Sequence, residues 1–186
     1  MVSGSAQLAA EGIQATLATG AFFSVPGPCS IQVAGRVVVI TRLGFRGMLS
    51  CGLTETYGRL SYIDGCSTSI LVHPPRLGDP TLNLLHIPAG TDQSEHLHPT
   101  LRVGVVLRGS GWAVTRDRGT LERTSRPLSE GDLFAIDPQE WHSFRTEPGR
   151  DALDVIAYHP DTDCGPTDQA HPMLTRTYAR TGRATP

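Results

Sequence analysis

From residue 82 to residue 158 the chain repeats one pattern without interruption. Short apolar or β-branched runs (82–87, 101–107, 111–115, 121–126, 133–136, 143–146 and 153–158) alternate with turn sequences such as Pro88-Ala89-Gly90, Glu130-Gly131-Asp132 and Glu147-Pro148-Gly149. Strands this short, punctuated this regularly and free of helical periodicity, predict an antiparallel barrel or sandwich. A length of 186 residues suffices for one well-buried core and is short for two.

Within the pattern sit three histidines. His96 and His98 flank Leu97, and His142 lies in Glu140-Trp141-His142-Ser143-Phe144. Residues two apart on a strand point the same way, with Cα atoms roughly 6.6–7 Å apart. His96 and His98 can therefore aim at one metal ion, and His142 from a neighbouring strand would complete a neutral face of three nitrogens. Such a face leaves further coordination positions to water, dioxygen or substrate.

The surroundings of these histidines resemble the two sequence motifs of the cupin superfamily. The first reads Gly90-Thr-Asp-Gln-Ser-Glu-His96-Leu-His98-Pro-Thr-Leu-Arg102, with Gly109 seven residues on. The second reads Gly131 and, eleven residues later, His142, with Pro138 between. The likeness covers roughly residues 80–160. It departs from the family at three places: Arg102 stands where a glutamate is usual (Val103 if the gap is one longer), Gln139 stands at the second motif's inner glycine, and Thr146 replaces an asparagine.

The resemblance implies an all-β fold, a double-stranded jelly-roll barrel with an N-terminal extension. The expected division is a frayed arm or short helix over 1–30, a barrel over 31–160 with its motif-bearing core at 80–160, and an extended tail over 161–186. The segment 36–42, Arg-Val-Val-Val-Ile-Thr-Arg, is the first strand expected. The 80 residues before the motif-bearing core are expected to add strands and to help build a two-fold homodimer.

Composition narrows the chemistry. Sixteen basic and 18 acidic residues give a net charge of −2, which offers nothing to nucleic acid or an anionic membrane. No apolar run approaches the ~20 residues of a membrane span, and the N-terminus lacks the marks of a secretory signal. A cytoplasmic setting follows as an expectation. All sixteen basic residues are arginine, so no Schiff base and no lysine general base can operate. Cys29, Cys51, Cys66 and Cys164 lack Cys-x-x-Cys spacing and read as free thiols.

The expected ligands are His96, His98 and His142, with Fe(II) first and Zn(II), Ni(II), Mn(II) or copper open on ligand type alone. Arg102 shares the parity of His96 and His98. If Pro99 leaves the register intact, its guanidinium enters the pocket and can hold a carboxylate or enolate at two points. If Pro99 shifts the register, Arg102 lies outside against Glu95. Glu95 is expected to be salt-bridged or solvated, and His86 buried and hydrogen-bonded. Of Tyr158 and His159 on the last strand, one should face inward as a donor or orienting group.

These readings imply a metal-dependent enzyme of small-molecule metabolism, first of all a mononuclear Fe(II) dioxygenase acting on a small anionic substrate. Two alternatives stand beside it. One is a non-redox zinc or nickel isomerase, lyase or bond-forming enzyme; the other is a metal-stabilised ligand-binding or sensor module.

Overall fold

The computed structural model describes residues 3–117, 119–162, 165–167, 170–171 and 173. Their strands are β1 (Ser3–Ala10), β2 (Ile13–Ala18), β3 (Ala21–Ser24), β4 (Cys29–Arg36), β5 (Ser50–Leu53), β6 (Leu60–Ser61), β7 (Ser67–Val72), β8 (Thr81–Ile87), β9 (Arg102–Arg108), β10 (Ser110–Arg116), β11 (Arg123–Ser129), β12 (Leu133–Ile136), β13 (Trp141–Arg145) and β14 (Leu153–His159). Ile63–Gly65 forms a 3-10 turn.

Two antiparallel sheets make the barrel. The larger has the order β12-β9-β14-β8-β7-β6, and the smaller β11-β10-β13. The chain passes from the larger to the smaller at Gly109, whose φ of 77° is a conformation glycine adopts without cost. A side chain there would run into the Ala152 carbonyl.

Alternation along the strands decides what fills the space between the sheets. Val106, Phe134, Ile136, Leu153 and Val155 of the larger sheet meet Leu128 and Phe144 of the smaller in one buried cluster. Each fully buried side chain of this kind stabilises the fold by about 1.5–3 kcal/mol. Phe134 and Phe144 meet edge to face with ring centroids 5.5 Å apart. The core occupies one part of the interior, and the histidine-bearing part next to it stays open.

The N-terminal residues form a separate sheet of order β2-β1-β4. The arm or short helix expected over residues 1–30 is therefore corrected for the described residues: 3–10 and 13–18 are a hairpin. Its two-residue turn, Glu11 and Gly12, has positive φ at both positions (46° and 79°), the twist that suits a tight hairpin. Ala6, Leu8 and Leu17 of this sheet form a buried cluster with Ala21 of β3. β4 runs across the expected boundary at residue 30.

The strand expected over 36–42 is also corrected. β4 ends at Arg36, which pairs with Ser3, the first described residue of β1, and residues 37–42 form no strand. The run expected over 121–126 starts at Arg123, since Leu121 turns with φ 59° and its N–H bonds the Asp117 carbonyl at 3.0 Å. The tail expected over 161–186 lies largely outside the described residues, as does Cys164. Among the described residues, no helix is long and apolar enough to cross a membrane.

Candidate metal centre

His142 is the second residue of β13, facing inward with Phe144, and is 3% exposed. His96 and His98 lie on an extended segment beside β13 that is joined to it by two isolated antiparallel bridges, Asp92 with Arg145 and His96 with His142. His96 and His142 exchange both backbone bonds, N–H to carbonyl, at 2.9 Å each way. The Gln139 N–H bonds the His98 carbonyl at 2.7 Å. The expected strand for residues 96 and 98 is thus a segment held by isolated bridges rather than a continuous ladder, yet the parity argument holds and both rings face His142.

The three ligand nitrogens lie within 4.8 Å of one another. Ring centroids are 4.4 Å apart for His96 and His142, and 5.1 Å for each pair that includes His98. The Nδ1 of His96 lies 2.9 Å from the Ser94 carbonyl, and that of His142 lies 2.9 Å from the Glu140 carbonyl. A carbonyl only accepts, so each Nδ1 carries the proton and each Nε2 is left as a lone-pair donor. This is how metal-binding imidazoles are commonly oriented. Burial pulls His142 down to about 4; the Glu140 carbonyl opposes that pull, and the nearby His96 and Arg102 reinforce it. A neutral imidazole is the form that binds a metal.

Neighbouring side chains fasten the extended segment. Gln93, 2% exposed, accepts the Phe144 N–H at 3.2 Å through its amide oxygen, while its own N–H bonds the Phe144 carbonyl at 3.1 Å. Asp64 accepts the Ser94 N–H at 2.6 Å. Glu95 points away from the histidines, as expected, and is clamped by Arg116 of β10 and Arg123 of β11 at 2.7 Å each. Sequence reasoning did not single out Gln93 or Asp64. Neither belongs to a ligand pattern, and both act through backbone groups that only the folded chain brings near.

Arg102, whose direction the sequence left open, faces inward and is 3% exposed. The bend at Pro99 and Thr100 does not reverse its parity. Its Nη1 donates to the Thr100 carbonyl at 2.9 Å and the Leu101 carbonyl at 3.1 Å. The guanidinium lines the same cavity, of about 210 Å³, as His96, His98, His142 and His159. His159 sits 6.3 Å from His98 between ring centroids. Burial first, then Arg102 and His98, hold it neutral, down to about 3.

Tyr158 is the residue that the structure takes out of the set. Alternation on β14 sends His159 into the metal cavity and Tyr158 to the other face, where it lines a separate space beneath the N-terminal segment. His86 likewise faces outward. It is buried, with Nδ1 2.6 Å from Asp154, which also pairs with Arg108 at 2.7 Å.

The donor set suits a divalent ion: three neutral nitrogens, two of them with fixed tautomers, and no carboxylate in the cluster among the described residues. Residues 83–157, which include all three histidines, match the family model described as a cupin domain. No curated protein matches the sequence. Similar solved structures include a cupin 2 conserved barrel domain protein from Rhodopseudomonas palustris (19% identical, covering 66% of this chain and 81% of that one, TM-score 0.46). Others are the polyketide cyclase RemF from Streptomyces resistomycificus (19%, 64% and 84%, 0.46) and KdgF from Halomonas sp. (22%, 55% and 87%, 0.43). The barrel with its glycine turns and the clustered histidines agree with the match of this segment: residues 83–157 are similar to a cupin domain, and the three-histidine cluster they carry could hold a metal.

Proposed function

We propose that the protein is a metal-dependent enzyme acting in the cytoplasm on a small anionic substrate. The reaction class is dioxygenation, in which both atoms of O2 enter the substrate and the substrate supplies all the electrons. The observation that carries this reading is Arg102: a buried guanidinium in the cavity of a ligand cluster that has no carboxylate. His96, His98 and His142 would hold the ion. Fe(II) there would supply Lewis acidity and the capacity to activate dioxygen.

The remaining work belongs to the chain. Three neutral ligands leave a divalent charge uncompensated, and Arg102 adds to it, so the cavity favours an anion. Anchored through Nη1 to two carbonyls, Arg102 presents its charge from a fixed position. His159, neutral across the working pH range, orients a ligand by hydrogen bonding rather than by charge. Phe134, Phe144 and Leu85 line the cavity and exclude water.

The test is elemental analysis of protein purified without added metal, followed by oxygen uptake with small carboxylates. Native iron and substrate-dependent uptake support the reading. Stoichiometric zinc and no uptake after iron loading would turn it to non-redox chemistry. His96→Ala, His98→Ala and His142→Ala should each lose most of the metal while keeping the barrel; full retention by any of them removes that residue from the ligand set.

A further inference from the structure

We propose that Asn83 is a second recognition point in this cavity, and that the substrate is a small carboxylate that also carries a hydroxyl or amino donor. The proposal rests on the reading of the site as an anion-binding metal centre. Asn83 lies on the inner face of β8, opposite Ala157 of β14 and Ile70 of β7, and all three line the metal cavity. Its side-chain oxygen is buried and has no hydrogen-bond partner among the described residues. The neighbouring polar side chains differ in this respect. The Thr68 hydroxyl donates to the Leu84 carbonyl at 2.7 Å, and the Thr81 hydroxyl to the Val72 carbonyl at 2.6 Å.

Folded proteins leave few buried polar groups unsatisfied, because each one carries a desolvation cost. An acceptor with no partner of its own, facing a cavity, is matched by a ligand that brings a donor. Ala157 opposite it has only a methyl group, which leaves room beside the amide. In the sheet order, β14 separates β8 from the strand of Arg102. At about 4.8 Å per strand, the two backbones lie roughly 10 Å apart. Arg102 lines the same cavity from its own strand, so a carboxylate beside it and a donor at Asn83 can belong to one small molecule. A cavity of about 210 Å³ lies below the usual range for ligand pockets, roughly 300–1,000 Å³, and excludes larger molecules. A site built to hydrogen-bond a hydroxyl rejects the analogue that lacks it, since its own polar group is then left buried and unpaired.

The experiment uses full-length protein loaded with Zn(II), which takes no part in redox chemistry, and calorimetry with butyrate, 3-hydroxybutyrate, 4-hydroxybutyrate and acetoacetate. Wild type should bind one of the hydroxybutyrates about tenfold more tightly than butyrate. Asn83→Leu should bring that ligand to the level of butyrate, leaving zinc content and butyrate affinity unchanged. Equal affinities in wild type, a preference that survives in Asn83→Leu, or a preference for acetoacetate would each overturn the assignment of Asn83 while leaving the anion site intact. Failure of all four ligands to bind would overturn the anion site and this inference with it. Should Asn83→Leu not load zinc, the ranking of the four ligands by wild type decides.

Discussion

Arg102 concentrates the functional question in one side chain. Its Nη1 already serves two backbone carbonyls, so part of its role is structural. Replacement by leucine should leave the metal in place but weaken a carboxylate ligand by about 1.5–3 kcal/mol, the range for hydrogen bonds to charged groups. Arg102→Lys should recover part of that, because a point charge lacks the fork geometry. Calorimetry on the zinc-loaded variants reads both effects, and an unchanged affinity in Arg102→Leu would rule the residue out as the anion's partner. The two buried imidazoles carry a second prediction. His142 and His159 titrate near 6.5 in an unfolded chain but at about 4 and about 3 in the fold. Above pH 6.5 both are neutral in either state and cost nothing. As pH falls below 6.5, the unfolded chain takes up protons that the folded one refuses, so stability declines until about pH 4 for His142 and about pH 3 for His159. In metal-free protein, the urea midpoint should fall steadily from pH 6.5 downward, and less so in His159→Phe, which removes the group facing Arg102 and His98. A flat profile between pH 6.5 and 4.5 would contradict the buried, neutral assignment.

At the scale of the elements, the segment bearing His96 and His98 is held by two isolated bridges, a few further backbone bonds and side chains, not by a continuous ladder, which makes its anchors consequential. Glu95 links it to β10 and β11 through Arg116 and Arg123. Glu95→Ala should raise the dissociation constant for metal about tenfold, at the low end of the effect of losing groups that support a metal ligand, although Glu95 touches no ligand nitrogen. A competition titration with a chelator measures this, and wild-type affinity would show the backbone bonds of the segment to be sufficient. The same segment shows what was legible from the chain. The spacing of His96, His98 and His142 reads directly because parity and turn glycines are local properties. Tyr158 and His159 could be narrowed to one inward residue, but which one depended on the register of β14, set by its pairing with β8 and β9. Arg102 remained open because a proline bend preceded it. Gln139, standing where the family has glycine, has φ 58°, so the backbone shape of the motif persists without the residue that adopts it most easily. The N-terminal hairpin was missed because its strands are rich in small and polar residues whose pattern resembles a frayed arm.

At the scale of the whole molecule, one β-branched stretch has no strand partner among the described residues. Residues 37–49 follow β4 and include the β-branched run Val37-Val38-Val39-Ile40-Thr41, yet among the described residues none of their backbone groups bonds to another backbone group. Several of their apolar side chains face solvent: Val39 is 55% exposed, Leu43 85% and Met48 73%. β4 is the edge of its sheet, so its outer side also lacks a strand partner among the described residues. A run with strong strand character beside an open edge invites pairing with another chain. We expect that chain to be a second copy. A strand lying antiparallel to its own equivalent satisfies two-fold symmetry, in which each residue meets the partner of its counterpart, and it continues the β2-β1-β4 sheet across the axis. Sedimentation equilibrium should then show a dimer at micromolar concentration. Hydrogen exchange should find the amides of residues 37–41 protected, although they have no backbone partner among the described residues. Val39→Asp combined with Leu43→Asp should give a monomer whose metal content is unchanged, since neither residue approaches the histidine cavity. A monomeric wild type, or a dimer in which residues 37–41 exchange as freely as an open loop, would sink the proposed pairing.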